Sequence, residues 1–233
     1  MNRQLLLDVL PATAPTLQNY IAGPNGEALA AARALAPGRA VYLWGAAGCG
    51  RSHLLRGLAA VPGAMYIDAA QGAQALRQLA GADSAAAMPT VVAIDDVHRM
   101  DDARQAGLFA LYNRWRECAA TSRAFALAVA GDRAPLSMPL REDLRTRLGW
   151  DLVFRLEPLS DADKRAALAA QAAERGLQLA PEVIQWMLTH RERDIRKLAA
   201  LLDALDRYSL ATGRPITIPL LRAMLADPDT QTP

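Results

Sequence analysis

The sequence predicts an α/β fold, a five-stranded parallel sheet with flanking helices, followed by a small all-helical domain. Three observations carry this. Five short apolar runs alternate with helix-like stretches up to Leu156. Beyond Leu156 the strand signal stops and only helical patterns follow. The first apolar run leads into a glycine-rich loop, Gly45-Ala46-Ala47-Gly48-Cys49-Gly50-Arg51-Ser52, which opens a helix. Strands alternating with helices argue for a mostly parallel sheet covered on both faces.

The elements follow in order. Residues 1–25 read as irregular, punctuated by Pro11, Pro15, Gly23 and Pro24. An Ala-rich helix is expected over Glu27–Leu35 and ends at Pro37-Gly38. The apolar runs Ala40–Trp44, Ala64–Asp68, Thr90–Asp95, Ala124–Ala130 and Leu152–Leu156 read as buried strands. Helical stretches over Ser52–Ala60, Gln71–Leu79 and Asp102–Cys118 separate most of them. Glu157-Pro158-Leu159-Ser160 breaks the chain, so we expect an α/β domain over 11–156 and a helical domain with a short tail over 157–233. Helices are expected near Asp161–Arg175, Pro181–His190, Arg193–Ala211 and Pro219–Leu225. Ser160 suits an N-cap and Pro181 a first helical turn, while Gly176 and Gly213 stand where C-terminal caps belong.

Composition excludes several classes. The residues are 52% hydrophobic and 21% charged, which a disordered chain would not be. A net charge of +2 does not support DNA binding by charge alone. No run approaches the roughly 20 apolar residues of a membrane span, and the apolar start stops at Asp8, too soon for a signal peptide. Cys49 and Cys118 cannot build a disulfide framework, so a cytoplasmic location is expected. His53, His98 and His190 lack metal-ligand spacing. Only Lys164 and Lys197 are lysines, a bias that weakens any reading in which one arginine was chosen over lysine for its chemistry.

The glycine-rich loop carries the chemistry. It fits the phosphate-binding pattern G-x-x-x-x-G-K-[ST], with Arg51 in place of the lysine. Backbone N–H groups of such a loop can wrap phosphates, and the helix N-terminus adds favourable dipole. Ser52 is placed to ligate Mg²⁺. Arg51 keeps the charge but not the compact ammonium, so binding can survive while hydrolysis suffers. The bland alternative is a turn that binds nothing. A second half-site appears where the apolar run Val91–Ile94 ends in Asp95 and Asp96, a place for a metal-holding acid and a water-orienting one. Asp132, after the fourth strand, would face the carboxyl edge of the sheet or simply form a turn. The charged stretch Leu140–Leu148 could reach a phosphate on a neighbouring molecule or form a solvated helix face.

These motifs, in this order, resemble the AAA+ ATPases, a P-loop NTPase superfamily, and within it the DnaA initiator branch, most closely its regulatory inactivators. The resemblance rests on Asn19-Tyr20-Ile21-Ala22-Gly23-Pro24-Asn25, on Tyr42 through Leu55, on Leu111–Arg114, Gly131–Arg133 and Arg145–Leu148, and on Leu156–Asp161. It implies that Gly45, Gly48, Gly50, Arg51 and Ser52 form Walker A. Ile21 would lie beside the adenine, and His53 would belong to the same nucleotide segment, although packing is its simpler role. Asp95 and Asp96 would be Walker B, Asp132 sensor 1, Arg147 the arginine finger and Arg196 sensor 2 on a helical lid. The bland partner for Arg196 is Asp194 or Asp203.

At the N-terminus, Gln4-Leu5-Leu6-Leu7-Asp8 resembles the peptide with which replication proteins dock on the sliding clamp, so 1–10 would be a clamp-binding segment. Leu5 and Leu7 would anchor and Gln4 would hydrogen-bond, with Asp8 departing from the pattern. The implied function is negative regulation of DNA replication initiation. An ADP-bound protein (or one holding ATP, with Mg²⁺) would dock on the DNA-loaded clamp and stimulate ATP hydrolysis by the DnaA initiator through Arg147 in trans. Its own ATPase would be weak at most. DNA contact would be indirect, since no helix-turn-helix domain follows the lid, and a homodimer is compatible with the family. The alternative is an AAA+ loader or adaptor that recruits a replication protein without activating the initiator.

Overall fold

The computed structural model describes residues 14–68, 72–81, 88–190 and 195–226. Two compact units emerge. The first is Pro15–Pro158, and the second is described from Leu159 onward.

In the first unit, helix α1 (Gly26–Arg33) precedes strand β1 (Ala40–Trp44), helix α2 (Arg51–Leu58), β2 (Ala64–Asp68), α3 (Ala73–Gly81) and β3 (Val91–Asp95). Then come α4 (Asp102–Cys118), β4 (Ala126–Gly131), α5 (Glu142–Leu148) and β5 (Leu152–Arg155). The sheet order is β2-β3-β4-β1-β5, and every pairing is parallel. All five carboxyl ends therefore reach one edge, where ligands bind in open α/β sheets.

Alternation along the strands sorts the core onto two faces. Tyr42, Val92, Ile94, Leu127 and Val129 meet Leu76, Leu108, Leu111 and Leu144 from α3, α4 and α5. Val41, Leu43, Ala93, Ala128 and Ala130 meet Ala28, Leu29, Leu54 and Leu55 from α1 and α2. The expectation of five buried strands holds for the three central ones. β2 and β5 are edges, and their residues alternate between covered and exposed. Each lacks a neighbour on one side, so its apolar runs are only partly covered.

Asp101 caps α4 by accepting from the Arg104 N–H at 2.9 Å. Across the amino edge, Asp151 accepts from Arg39 Nε at 2.8 Å and from the Ala40 N–H at 2.8 Å. This ties the start of β1 to the start of β5. The arginine and the backbone donor hold the Asp151 carboxyl below the usual range.

The second unit contains α6 (Asp161–Glu174), α7 (Pro181–His190), α8 (Ile195–Thr212) and α9 (Ile218–Ala226). Leu168, Val183, Met187, Leu202, Leu205, Leu220 and Leu221 form its core. Ser160 is the N-cap of α6 in a reciprocal box with Asp163. Gly176 and Gly213 take positive φ where α6 and α8 end.

Candidate functional site

The carboxyl edge is built outward from β1. Its last residue, Trp44, leads into Gly45, where an added Cβ would sit 2.3 Å from the Leu156 carbonyl oxygen. No side chain fits there. Gly50 is the N-cap of α2 with φ +100, and a Cβ on it would meet the Tyr20 ring at 2.9 Å. Close approach and left-handed backbone therefore both demand glycine in this loop. The loop ends at the N-terminus of α2, a place that suits an anion.

Arg51 is the first residue of α2 and is only 9% exposed. Its guanidinium lies 3.5 Å from an Asp96 carboxylate oxygen through Nη2, and its Nη1 is buried without a hydrogen-bond partner. A buried cation with an unmade N–H is the donor a phosphate would complete. The arrangement fits a nucleotide phosphate.

β3 ends with Asp95, 3% exposed. Its Oδ1 accepts the Asp96 N–H at 2.9 Å, and its Oδ2 accepts the Tyr66 hydroxyl at 2.8 Å. Asp96 follows in the left-handed region at φ 52, the one non-glycine residue with positive φ among those described. Its carboxylate faces Arg51, with Arg99 at 3.8 Å and His98 at 3.9 Å. Two carboxylates beside the loop are the hard oxygen donors a divalent cation prefers.

Asp132 stands just past β4, whose Gly131 pairs with Trp44. It is held in a two-pronged pair with Arg133, at 2.9 and 2.6 Å. That arginine, with His98 nearby, keeps its carboxyl below the usual range. The structure thus brings the loop, Arg51, Asp95, Asp96 and Asp132 to one edge of the sheet.

Other expected residues sit differently. His53 Nε2 lies 2.8 Å from Asn19 Oδ1 and 3.1 Å from the Thr16 carbonyl, and its ring meets Tyr20 edge-on at 5.4 Å. It fastens the segment before α1 to α2. Ile21 lies in that segment, half-buried. Asn25 closes the segment: its side chain donates to the Glu157 carbonyl and accepts the Glu157 N–H, both at 2.8 Å.

Arg147 is on α5, held against α4. Its Nε and Nη2 donate to Asn113 Oδ1 at 3.2 and 3.0 Å, and Nη1 donates to the Asp143 carbonyl at 2.9 Å. Its guanidinium covers the Phe109 ring at 3.8 Å, with Trp150 at 4.9 Å. Sequence reading missed Asn113 and Phe109 in this role, because a helix face 34 residues away carries no local signal. It also missed Tyr66, which only the β2–β3 pairing brings to Asp95. The side chain of Arg196 lies outside the described residues, as do Gln4, Leu5 and Leu7.

Comparison with solved structures shows the fold. The chain superposes on domain III of the Thermotoga maritima replication initiation protein DnaA with a TM-score of 0.71 and 21% identity, covering 96% of this chain and 100% of that one. AMPPCP-bound DnaA from Aquifex aeolicus gives a TM-score of 0.64 at 21% identity, covering 84% and 66%. A Thermotoga maritima RuvB mutant gives 0.62 at 17% identity, covering 94% and 75%. The fold is that of an AAA+ protein, a P-loop α/β sheet with a helical lid.

The helical unit narrows this further. Residues 161–225 match the family model of the Hda lid domain. The chain is thus similar to Hda over its helical unit and to DnaA in its fold.

Proposed function

We propose that this protein is a nucleotide-bound negative regulator of replication initiation that acts on the DnaA initiator. The observation that carries the reading is the Hda lid match over residues 161–225. The site supports it. Leaving a buried donor of a charged group unmade costs about 1–3 kcal/mol or more, and Arg51 Nη1 is such a donor. A nucleotide phosphate bound by Arg51 and the loop N–H groups satisfies it.

ADP is the expected resident nucleotide. Ser52 and Asp95 are the residues that would hold Mg²⁺, which when bound neutralises phosphate charge. Asp96 orients water, Asp132 is sensor 1, and Ile21 and Arg196 contact the nucleotide. The functional division runs 1–10, 11–156 and 157–233. Gln4, Leu5 and Leu7 dock the protein on the sliding clamp.

Arg147 acts in trans. Offered to ATP held by the initiator, its guanidinium stabilises charge on the transferring phosphoryl group, an effect of roughly 10³–10⁵ in rate. The test is phosphate release from initiator-bound ATP, with and without this protein and DNA-loaded clamp. Hydrolysis needing all three components is the expected result.

A second reading is favoured by one observation: all three Arg147 nitrogens are engaged within the chain. A structural Arg147 would leave a loader or adaptor that recruits a replication protein without activating the initiator. Absence of stimulated hydrolysis, with clamp binding verified, would select it.

A further inference from the structure

We infer that Tyr66 is a positioning residue that fixes the Asp95 carboxylate for the divalent cation accompanying the nucleotide. The inference rests on the nucleotide-site reading above.

Tyr66 is on the edge strand β2, in register with Ala93 of β3. Asp95 is two residues further along, on the same face as Ala93. The small Ala93 side chain leaves room for the phenol to reach forward. Its hydroxyl donates to Asp95 Oδ2 at 2.8 Å, while the Asp96 N–H takes Oδ1 at 2.9 Å. Two donors on opposite oxygens fix the plane of the carboxylate. Each oxygen keeps a second lone-pair direction, now aimed by those two bonds.

The ring is itself held. Arg56, on the helix that the phosphate loop opens, lies over it at 4.4 Å from the centroid. Tyr66 therefore links the loop helix to the acid at the end of β3. Conserving the ring and removing the hydroxyl frees one edge of a buried carboxylate without emptying the core.

The test is Tyr66→Phe, read by binding of a fluorescent ADP analogue in EDTA and across a Mg²⁺ titration. Binding in EDTA is expected to match the wild type within about twofold, since no phosphate contact changes. The Mg²⁺ concentration giving half-maximal enhancement is expected to rise about tenfold, the scale of one lost charge-assisted hydrogen bond. In an Asp95→Ala background, Tyr66→Phe should change nothing further. Arg56→Gln, which uncaps the ring from an exposed position, should move the Mg²⁺ midpoint the same way by a smaller factor. An unchanged Mg²⁺ midpoint in Tyr66→Phe overturns the inference and leaves the nucleotide site standing. Equal loss with and without Mg²⁺ also overturns it, as the mark of a purely structural tyrosine. A wild-type chain that binds no ADP overturns the site and the inference together.

Discussion

Arg51 and Arg147 carry the same charge in the same unit and are held in opposite ways. Arg51 is buried at the mouth of the loop, with a loose carboxylate partner at 3.5 Å and a nitrogen bonded to nothing. Arg147 is half-buried on α5, with every nitrogen committed and an aromatic ring beneath it. An under-served buried cation is a demand for an anion. A fully served one has no such demand and gives up its partners only for a better one. The proposed roles follow this contrast: Arg51 for the protein's own nucleotide, Arg147 for a phosphate on another molecule.

The largest effect expected from this contrast is on partner hydrolysis. Arg147→Ala should lower initiator ATP hydrolysis by about 10³-fold or more while ADP binding stays near wild type. Phosphate release and ADP titration check the two halves. Persisting stimulation would make Arg147 a structural residue and break the comparison.

Next comes nucleotide affinity. Arg51→Gln should weaken ADP binding by about 10- to 100-fold, the worth of a buried charge-assisted contact. Arg51→Lys should restore most of it, since the ammonium is the usual cation of such loops. Calorimetric titration of ADP checks both. Equal affinity in Arg51→Gln would remove the demand that sets Arg51 apart.

Stability effects follow. Gly50→Ala would place a Cβ against Tyr20 at a φ of +100. It should cost about 1–3 kcal/mol through backbone strain and crowding, read as a lower denaturant midpoint. If ADP then binds normally, the loop's donors tolerate the shift and Arg51 alone carries the affinity.

The smallest effect concerns a third arginine, exposed at the opposite edge. Arg39 holds the Asp151 carboxyl below its ordinary pKa. A lowered folded pKa means stability that is present above the ordinary carboxylate range and lost as pH falls through the folded value. Asp151→Asn should therefore narrow the gap in urea stability between pH 6 and pH 3, with solvent screening keeping the change modest. An unchanged gap would show that a solvated pair does not share in the behaviour of the buried ones.

Much of the scaffold was legible because its signals are local. The apolar runs at Ala40–Trp44 and Ala64–Asp68, and the helical pattern over Asp102–Cys118, coincide with β1, β2 and α4. The glycine loop and the acids ending β3 were legible for the same reason. What was not legible depends on sheet order or on helices meeting at long range. Apolar runs do not say which strands are edges, so the exposure of β2 and β5 emerged only with the order β2-β3-β4-β1-β5. Tyr66 looked like any strand tyrosine until β2 lay beside β3. The clamp of Asn113 and Phe109 on Arg147 needs α4 packed on α5.

The left-handed backbone at Asp96 narrows the alphabet open to evolution at that position. Asparagine would keep the shape and discard the charge. Glutamate would keep the charge and resist the shape, since only glycine, asparagine and aspartate enter that region at little expense. Aspartate alone among the twenty meets both conditions. Drift here is constrained by geometry before chemistry is tested at all.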